Sequence, residues 1–283
     1  MKTETLKYLC DPETHNPLTL EARSDGTSVL YDKLTGRQYP INDGIPDFLV
    51  DRPPTGMNKK YQTQYDMLSP FYNFVTKAAI RMMRASEADV RREYLCELEI
   101  ERDSKVLEVS VGTGSNLRLL PADAQYYGLD ISSGQIKQCS KIIKKIGLQV
   151  DLFLGDAEQL PFRDSQFDVV FHMGGINYFS NPQLALTEMI RVAKPGTKIV
   201  VVDETDRFTK QLARIPVVRE FFKHHNGMAT PELVAPSNVD EVEVRELFGG
   251  RLWYLSFRKP LVKVKPMATV TNILERRILQ RNL

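Results

Sequence analysis

The sequence has few of the features that mark secreted, membrane-spanning or strongly nucleic-acid-binding proteins. Its three cysteines, Cys10, Cys96 and Cys139, are too few for a disulfide framework and fit a reducing compartment. No apolar run approaches the roughly 18 residues that cross a bilayer, and no long apolar core follows Lys2 as in a signal peptide. The formal net charge of +2 excludes a strong positive field over the whole molecule. We therefore expect a soluble, cytoplasmic protein.

The first fifty residues differ in pattern from the rest of the chain. Residues 1–50 alternate turn residues with short apolar segments, which predicts a small β domain. Residues 51–58 contain two prolines and a glycine and are predicted to be a linker. Residues 59–98 have apolar residues at helical spacing, and Pro70 divides them into two predicted helices. With 283 residues, the chain is long enough for one complete α/β domain beside this appendage.

The segment from Lys105 to Gly114 is the most informative part of the sequence. Its apolar residues predict a short buried strand, and Gly112 and Gly114 follow at the point where a helix is expected to begin. Glycines at such a place let the backbone turn sharply and let a ligand lie against the main chain. A purely structural turn has the same pattern, so a binding site needs support from other motifs.

Two acidic residues follow two further predicted strands. Asp130 ends a strand about twenty residues after the glycines, where a doubly wound sheet presents an acid to ribose hydroxyls. Asp156 lies beside the backbone N–H of Ala157, a donor and acceptor pair that suits an adenine edge. Leu117 occupies the third glycine position of a dinucleotide fingerprint. The sequence therefore favours a ribose-bearing cofactor without a phosphate chain.

Strands and helices alternate along the rest of the chain, which predicts a parallel sheet with helices on both faces. Residues 242–247 and 252–257, separated by two glycines, predict an antiparallel hairpin that closes the sheet. The expected fold is thus α/β, a Rossmann-like doubly wound and mostly parallel sheet with a carboxy-terminal antiparallel hairpin. A small amino-terminal β domain precedes it.

The order of these motifs resembles the class I S-adenosylmethionine-dependent methyltransferases, and most of all the subgroup that contains the ubiquinone and menaquinone biosynthesis enzymes. The resemblance rests on residues 108–114, 128–132, 155–162, 167–171 and 191–196 and covers about residues 60–205. It implies S-adenosyl-L-methionine as the cofactor and no metal. The residues that it implies for cofactor binding are Tyr65, Tyr72, Glu108, Gly112, Thr113, Gly114, Asp130, Ile131, Asp156, Ala157, His172 and Met173.

The resemblance also implies individual roles. Glu108 would balance the charge of the methionine amino group, Asp130 would accept from the ribose hydroxyls, and Asp156 would accept from the adenine amino group. This sequence departs from the family pattern at Ser110, where the first glycine of the motif usually stands. A serine there narrows the pocket slightly.

Residues 6–50 resemble the small zinc-ribbon-like domain that activates, or is fused ahead of, many methyltransferases. The metal-binding members of that family have two CxxC pairs, whereas only Cys10 remains here. Cys10 and His15 supply at most two of the four ligands that tetrahedral zinc requires. We expect no zinc and a degenerate ribbon held together by its apolar residues alone. A β-ribbon that merely packs on the next domain is the simpler alternative.

Methyl transfer needs a general base only where the nucleophile must lose a proton. The candidates are His172, Asn177 and Tyr178, which follow a predicted strand, and the pair at residues 224–225. Apolar residues between positions 209 and 238 predict a lid or an acceptor wall, with an ordinary core helix as the alternative. An apolar wall favours a small aromatic, quinone-like or lipid-like acceptor, methylated at carbon or oxygen.

Residues 59–258 are predicted to be the methyltransferase domain and residues 259–283 a basic amphipathic tail. The tail has an apolar stripe at helical spacing. Three interpretations are open: a helix docked on its own protein or on the second copy of a homodimer, a helix on a membrane surface, or an RNA contact. A membrane-surface helix would make the protein a peripheral membrane protein.

Two other functions compete with the small-molecule methyltransferase. The ribbon-like domain and the basic tail favour an RNA or tRNA methyltransferase. The near-neutral charge argues against nucleic acid, and residues 177–179 differ from the Asn/Asp-Pro-Pro-Tyr type of motif that acts on base amines. A catalytically inactive binding subunit is the other possibility. The intact acids Glu108, Asp130 and Asp156 argue against it.

Overall fold

A computed structural model describes residues 1–70, 80–81, 85–212 and 230–261 of the chain. The predicted positions at Tyr72, at residues 224–225, at 213–229 and in the tail from residue 262 lie outside the described residues. The described part contains two sheets, one of four strands and one of seven. Among the helices of the described ranges, none has both the length and the hydrophobicity that a membrane crossing requires.

The secondary structure follows the predicted alternation. The small sheet contains β1 (Thr19–Ala22), β2 (Ser28–Tyr31), β3 (Gln38–Asn42) and β4 (Ile45–Pro46). The large sheet contains β5 (Lys105–Val109), β6 (Gln125–Asp130), β7 (Val150–Leu154), β8 (Val169–Met173), β9 (Lys198–Glu204), β10 (Asp240–Leu247) and β11 (Leu252–Arg258). The helices are α1 (Gly56–Leu68), α2 (Glu87–Leu95), α3 (Ser133–Ile146), α4 (Pro182–Val192), α5 (Asp206–Leu212) and α6 (Pro231–Val234), and the 3₁₀ turns are Thr3–Tyr8, Leu117–Leu119 and Ile176–Tyr178.

The large sheet has the strand order β10-β11-β9-β8-β5-β6-β7. The five strands β5 to β9 are parallel to one another. β10 and β11 form an antiparallel hairpin, and β11 pairs antiparallel with β9. Chain order runs outward in opposite directions from β5, which pairs with both β6 and β8, so the space between β5 and β8 is a topological switch point. The predicted α/β fold, including its carboxy-terminal hairpin, is confirmed.

The predicted helix after the glycine loop is reduced to a single 3₁₀ turn at Leu117–Leu119. Pro121 ends this segment because the residue before a proline is disfavoured in the α conformation. Leu120 accordingly has an extended backbone with ψ 155°. The chain then has only a few residues before β6 begins at Gln125. The expectation of a helix at this point is therefore wrong.

The small sheet has no hydrophobic core separate from that of the large sheet. Leu30, Tyr39 and Phe48 belong to the same buried cluster as Phe153 and Phe162. The backbone joins the two sheets as well, because the N–H of Phe48 donates to the carbonyl of Leu154 at 2.9 Å. A change in either sheet therefore acts on packing that both share.

Two fully buried aspartates, Asp11 and Asp32, order two turns of the amino-terminal module. Each carboxylate accepts hydrogen bonds from backbone N–H groups two and three residues further along the chain. The donors to Asp11 are Glu13 at 2.8 Å and Thr14 at 2.9 Å, and the donors to Asp32 are Leu34 at 2.9 Å and Thr35 at 3.4 Å.

The two turns also exchange side-chain hydrogen bonds. Arg37, from the second turn, donates to both oxygens of Asp11 at 3.2 and 3.3 Å. Asn16, from the first turn, donates to Asp32 at 3.1 Å, and the hydroxyl of Tyr39 donates to Asp11 at 2.8 Å. Burial raises the pKa of both carboxyls, but these hydrogen bonds outweigh it and hold each pKa below its usual value. The expectation that apolar residues alone hold this module is wrong.

The expectation that no zinc binds concerns Cys10, whose side chain is fully buried. Burial raises the pKa of its thiol to about 12, so the thiolate that zinc requires is strongly disfavoured. Within the described ranges, no group of three or more His, Cys, Asp or Glu side chains could hold a metal ion.

The first prediction concerns the paired turns. Replacing Asp32 by Asn puts amide hydrogens against the donors that Asp32 now accepts, and we expect the free energy of unfolding to fall by about 2 kcal/mol. Urea unfolding of this variant measures the change, with the exposed Asp51→Asn as the control. Because the native pKa of Asp32 is lowered, the wild type should lose this stability as pH falls below about 4, and Asp32→Asn should lose less. Equal unfolding free energies for the two variants would contradict this account.

The second prediction concerns Ser110, which directly follows β5 and has a left-handed backbone with φ 60°. A side chain in this conformation costs about 1 kcal/mol relative to glycine. Ser110→Gly should therefore raise the free energy of unfolding by about that amount in the absence of ligand. Ser110→Ala keeps the Cβ and should leave stability near that of the wild type. A gain in Ser110→Ala as large as in Ser110→Gly would show that the hydroxyl, and not the backbone, is the cause.

Candidate functional site

A cleft of about 840 Å³, partly open to solvent, lies over the carboxyl ends of the parallel strands. Glu108 lines it at β5, Asp130 at β6 and Met173 at β8, and Tyr61 of α1 and Arg91 of α2 complete its walls. This is the position at which ligands bind in open α/β sheets, because strand ends and loops diverge at the switch point.

The glycine loop forms the floor of the cleft. Gly112 lines it with φ 55°, and its N–H donates to Asp130 at 2.8 Å. Thr113 lines the cleft beside it. Gly114 has a different position, because it packs behind the loop, where a Cβ would lie 2.7 Å from the Sγ of Cys139. Glycine is therefore required there by packing, and Gly114 is not among the residues that line the cleft.

Asp130 is buried at the end of β6. One carboxylate oxygen accepts from the N–H of Gly112 and the other accepts from the N–H of Ser132 at 2.9 Å. Burial raises the pKa of Asp130 to about 6, against the lowering effect of these backbone hydrogen bonds. The carboxylate is thus ionised at neutral pH, and each oxygen can accept one further hydrogen bond. Ile131 lines the cleft next to it.

Glu108 is buried at the end of β5, and its two oxygens differ. Oε1 accepts from the side-chain amide of Asn116 at 2.6 Å, whereas Oε2 is buried with no partner among the described residues. Burial raises the pKa of Glu108 to about 8. Gln135 of α3 also lines the cleft, and its amide nitrogen and oxygen are likewise buried without a partner among these residues. In a cleft, buried polar atoms of this kind are ones that a polar ligand or an ordered water would satisfy.

Asp156 and Ala157 follow β7 and line the cleft on the side of α1. One oxygen of Asp156 accepts from the N–H of Glu158 at 2.9 Å, and the other accepts from the side-chain amide of Asn58 at 3.0 Å. Burial raises the pKa of Asp156. Asn58 also donates to Glu158 at 3.0 Å, so α1 is fastened to this loop at its first turn.

Helix α1 is held across the cleft by three polar side chains at every fourth position. These are Asn58, Gln62 and Asp66. Gln62 donates to the carbonyl of Ile131 at 3.0 Å, and Asp66 accepts from the N–H of Gly134 at 2.8 Å. A Cβ on Gly134 would lie 3.1 Å from the backbone of Asp66, so the close approach of the two helices depends on this glycine. The stripe could have been found in the sequence by its spacing.

Two aromatic residues of α1 lie between these polar positions and face the loop after β8. The ring of Tyr61 packs on that of Tyr178 with centroids 4.4 Å apart. The ring of Tyr65 approaches Tyr178 edge-on at 6.2 Å. All three residues line the cleft. The structure therefore brings Tyr65, which the sequence predicted, and Tyr178 together.

The three predicted catalytic residues have different environments. Tyr178 lines the cleft, but His172 and Asn177 do not. The Nδ1 of His172 lies 3.0 Å from the carbonyl of Val109, and burial lowers the pKa of the imidazole to about 4. His172 is thus neutral and lies beneath the cleft, with its proton on Nδ1. The side chain of Asn177 donates to the carbonyl of Glu204 at 3.3 Å, which is a structural contact.

Asp203 and Glu204 end β9, and the sequence interpretation omitted them. Asp203 accepts from the N–H groups of Gly175 at 3.2 Å and Asn177 at 3.0 Å, so it orders the loop that carries Tyr178. Burial raises the pKa of Glu204 to about 8, the charge of Asp203 adds to this effect, and a hydrogen bond from Tyr178 opposes it. The pattern that identified Asp130, an acid at the end of a buried strand, could also have identified Asp203 and Glu204.

The sequence also resembles known protein families. A family model described as a methyltransferase domain matches residues 107–201, which extend from β5 to β9. The phosphatidylethanolamine N-methyltransferase of Cereibacter sphaeroides is 28% identical over 165 residues, which cover 56% of this chain and 81% of that protein. The demethylmenaquinone methyltransferase of Renibacterium salmoninarum is 38% identical over 100 residues, which cover 35% of this chain and only 40% of that protein.

The fold has a similar counterpart among solved structures. A candidate S-adenosyl-L-methionine-dependent methyltransferase of Methanococcus maripaludis superposes with a TM-score of 0.53 at 16% identity, covering 75% of this chain and 98% of that one. At this identity the likeness concerns the fold. The matched methyltransferase domain and the methyltransferase relatives confirm the enzyme class predicted from the sequence, an S-adenosylmethionine-dependent methyltransferase.

Proposed function

We propose that this protein transfers the methyl group of S-adenosyl-L-methionine to a small hydrophobic acceptor of aromatic, quinone-like or lipid-like character, at carbon or oxygen. The observation that carries the proposal is the pair of unpartnered buried groups, Glu108 Oε2 and the Gln135 amide, beside Asp130 in one cleft. The names of the relatives support the acceptor class, since one acts on a phospholipid and another on demethylmenaquinone.

The residues present fit the cofactor. Asp130 has lone pairs for two ribose hydroxyls, Asp156 and Ala157 would face the adenine, and Glu108 would face the methionine ammonium. Gly112 and Thr113 line the cleft between them and Met173 lies opposite, where the sulfonium end would lie. The bound cofactor would supply an electrophilic methyl group and would lose its positive charge on transfer.

The protein's own contribution is to align the acceptor and to exclude water. Helix α1 covers the cleft, and Tyr61, Tyr65 and Tyr178 give it an apolar, aromatic wall. We propose that Tyr178 relays the proton where the nucleophile must lose one, accepting it while its own phenol proton passes to the ionised form of Glu204. Because burial raises the pKa of Glu204 to about 8, this carboxyl is mostly protonated at pH 7, and the relay should strengthen as the pH rises toward 8. His172, buried and weakly basic, is not retained for this role.

An amine acceptor is the second candidate, because the phosphatidylethanolamine relative is matched over 81% of its length. Transfer of a deuterated methyl group to demethylmenaquinone and to phosphatidylethanolamine vesicles distinguishes the two candidates by mass spectrometry. Labelled quinone supports the first candidate and labelled phospholipid the second. If neither acceptor is labelled and S-adenosylhomocysteine does not bind, the result would favour an inactive binding subunit. Salt-sensitive retention of RNA would favour an RNA methyltransferase.

We also propose roles for the remaining parts of the chain. Residues 59–258 would be the catalytic domain, joined by the linker 51–58 to the ribbon-like module 1–50. The basic tail 259–283 would bring the enzyme from the cytoplasm to a membrane surface or to a second copy of the chain. Deleting residues 266–283 should weaken binding to anionic liposomes, and unchanged binding would remove the membrane hypothesis.

The third prediction concerns Asp130, the acid that is proposed to bind the ribose hydroxyls. Asp130→Asn replaces an acceptor by a donor at one oxygen, so we expect the affinity for S-adenosylhomocysteine to fall at least about tenfold. Isothermal titration measures the affinity, and a thermal melt checks that the variant is folded. Asp123→Asn changes an exposed acid at the other end of β6 and should bind like the wild type. Wild-type affinity in Asp130→Asn would place the ribose elsewhere.

The fourth prediction follows from the raised pKa of Glu108. With a pKa of about 8, most of this carboxyl is protonated at pH 7 in the free protein, and a bound ammonium would favour the ionised form. Binding of S-adenosylhomocysteine should therefore release protons, and the affinity should rise by up to about tenfold per pH unit between pH 6.5 and 8.

Titrations in phosphate and in Tris at pH 7 measure the proton release through the buffer-dependent enthalpy. Glu108→Gln removes the titrating group and should abolish the difference between the buffers. Glu101→Gln, which changes an exposed acid outside the cleft, provides the control and should keep the buffer dependence of the wild type. A buffer dependence that persists in Glu108→Gln would assign the proton to another group.

A further inference from the structure

The first turn of α1 is joined to the loop after β8 by a reciprocal pair of hydrogen bonds. The N–H of Ser180 donates to the side-chain oxygen of Asn58 at 2.8 Å, and the N–H of Asn58 donates to the hydroxyl of Ser180 at 3.3 Å. The first N–H groups of a helix have no partner within it, and Thr55, which precedes α1, makes no side-chain capping bond. The cap is therefore supplied by another part of the chain, just after Tyr178.

The same amide group also binds the loop after β7. The amide nitrogen of Asn58 donates to Asp156 at 3.0 Å and to Glu158 at 3.0 Å. Glu158 in turn accepts from the N–H of Asn181 at 2.8 Å, so the two loops are also joined directly. Asn58 is only 8% exposed. Because an ionised carboxylate can only accept, the amide nitrogen has to face the two acids and the amide oxygen has to face Ser180.

The position of this first turn determines the aromatic wall of the cleft. Asn58 and Tyr61 lie on one face of α1 because they are three residues apart. Tyr61 packs on Tyr178 with ring centroids 4.4 Å apart, and Tyr178 and Phe179 line the cleft. The contact between the two tyrosines therefore requires that the first turn of α1 be docked on the loop after β8.

The first turn of α1 depends on these contacts more than on its own sequence. Gly56 begins the helix with φ 53°, a conformation that favours glycine, and glycine is a weak helix former. Such a turn has a docked state, held through Asn58, and a frayed state. A ligand that binds the loop after β7 in its docked arrangement shifts this equilibrium toward the docked state.

We propose that Asn58 is a positioning residue that couples the loop after β7 to the loop after β8, so that cofactor binding completes the aromatic wall around the acceptor. The inference rests on the proposed function, in which Asp156 faces the adenine. A cofactor bound at Asp156 would fix that carboxylate, keep Asn58 docked between the loops and order the loop of Tyr178. By linkage, an acceptor bound against Tyr178 would raise the affinity for the cofactor by the same factor.

The test is amide hydrogen exchange of the whole protein, read by mass spectrometry with and without saturating S-adenosylhomocysteine. Protection of residues 128–134 shows that the ligand is bound, and residues 174–181 report the coupling. In the wild type, the ligand should slow exchange in residues 174–181 at least about fivefold. In Asn58→Ala this slowing should be lost, while residues 128–134 remain protected. Gln62→Ala removes a different contact of α1, with the carbonyl of Ile131, and as the matched control should keep the slowing.

Ser180 provides a second pair of variants that keep the amide of Asn58. Ser180→Ala removes the hydroxyl that caps α1 and should lose part of the slowing, whereas Ser180→Thr restores a hydroxyl and should recover it. Where Asn58→Ala melts well below the wild type, this pair carries the test. A purely structural Asn58 would leave the ratio of the exchange rates with and without the ligand unchanged in every variant.

A slowing in Asn58→Ala equal to that in the wild type would overturn the proposal. A wild type in which the ligand protects residues 128–134 but not residues 174–181 would overturn it too, and would leave the proposed cofactor in place. Protection of neither segment would refute the proposed function and the coupling with it.

Discussion

The desolvation of acidic side chains at one edge of a parallel sheet is the constraint on which the rest of the structure depends. Glu108 and Asp130 end neighbouring strands in apolar surroundings, and burial raises the pKa of each. A buried carboxyl is tolerated only where donors compensate it. Backbone N–H groups compensate Asp130, whereas one oxygen of Glu108 has no donor among the described residues. The fold thus maintains a group that a cationic ligand would stabilise.

The elements outside the sheet act on this edge in two ways. Helix α1 fastens to the loops after β6 and β7 through polar side chains, so it covers the cleft without filling it. The small sheet lies beside β7 and shares its core, and the turns of Asp11 and Asp32 hold that sheet together. The amino-terminal sheet therefore packs against β7, the strand that precedes Asp156, and stabilises it. Damage to those turns should reach the adenine side of the cleft through the shared packing.

The sequence predicted the strands and the acids at their ends, because continuous apolar segments identify buried parallel strands and the polar residue that ends one must lie at the sheet edge. It did not predict Arg91 or Asn58 at the site. Both belong to helices whose position over the sheet depends on tertiary packing, which local spacing does not contain. The paired turns of Asp11 and Asp32 were not predicted, because local spacing does not show that two turns distant in sequence meet and exchange hydrogen bonds. His172 was overrated because a position after a strand does not reveal which way the ring points.

The central claim is that one cleft at the switch point takes an adenosyl amino acid, with the ribose at Asp130 and the ammonium at Glu108. A crystal structure of the protein grown with S-adenosylhomocysteine tests it most directly. The account predicts ribose hydroxyls within hydrogen-bond distance of Asp130 and the ammonium of the amino-acid tail within hydrogen-bond distance of Glu108. A ligand bound elsewhere, or a cleft closed by Ser110 or α1 with no ligand in it, would contradict the account.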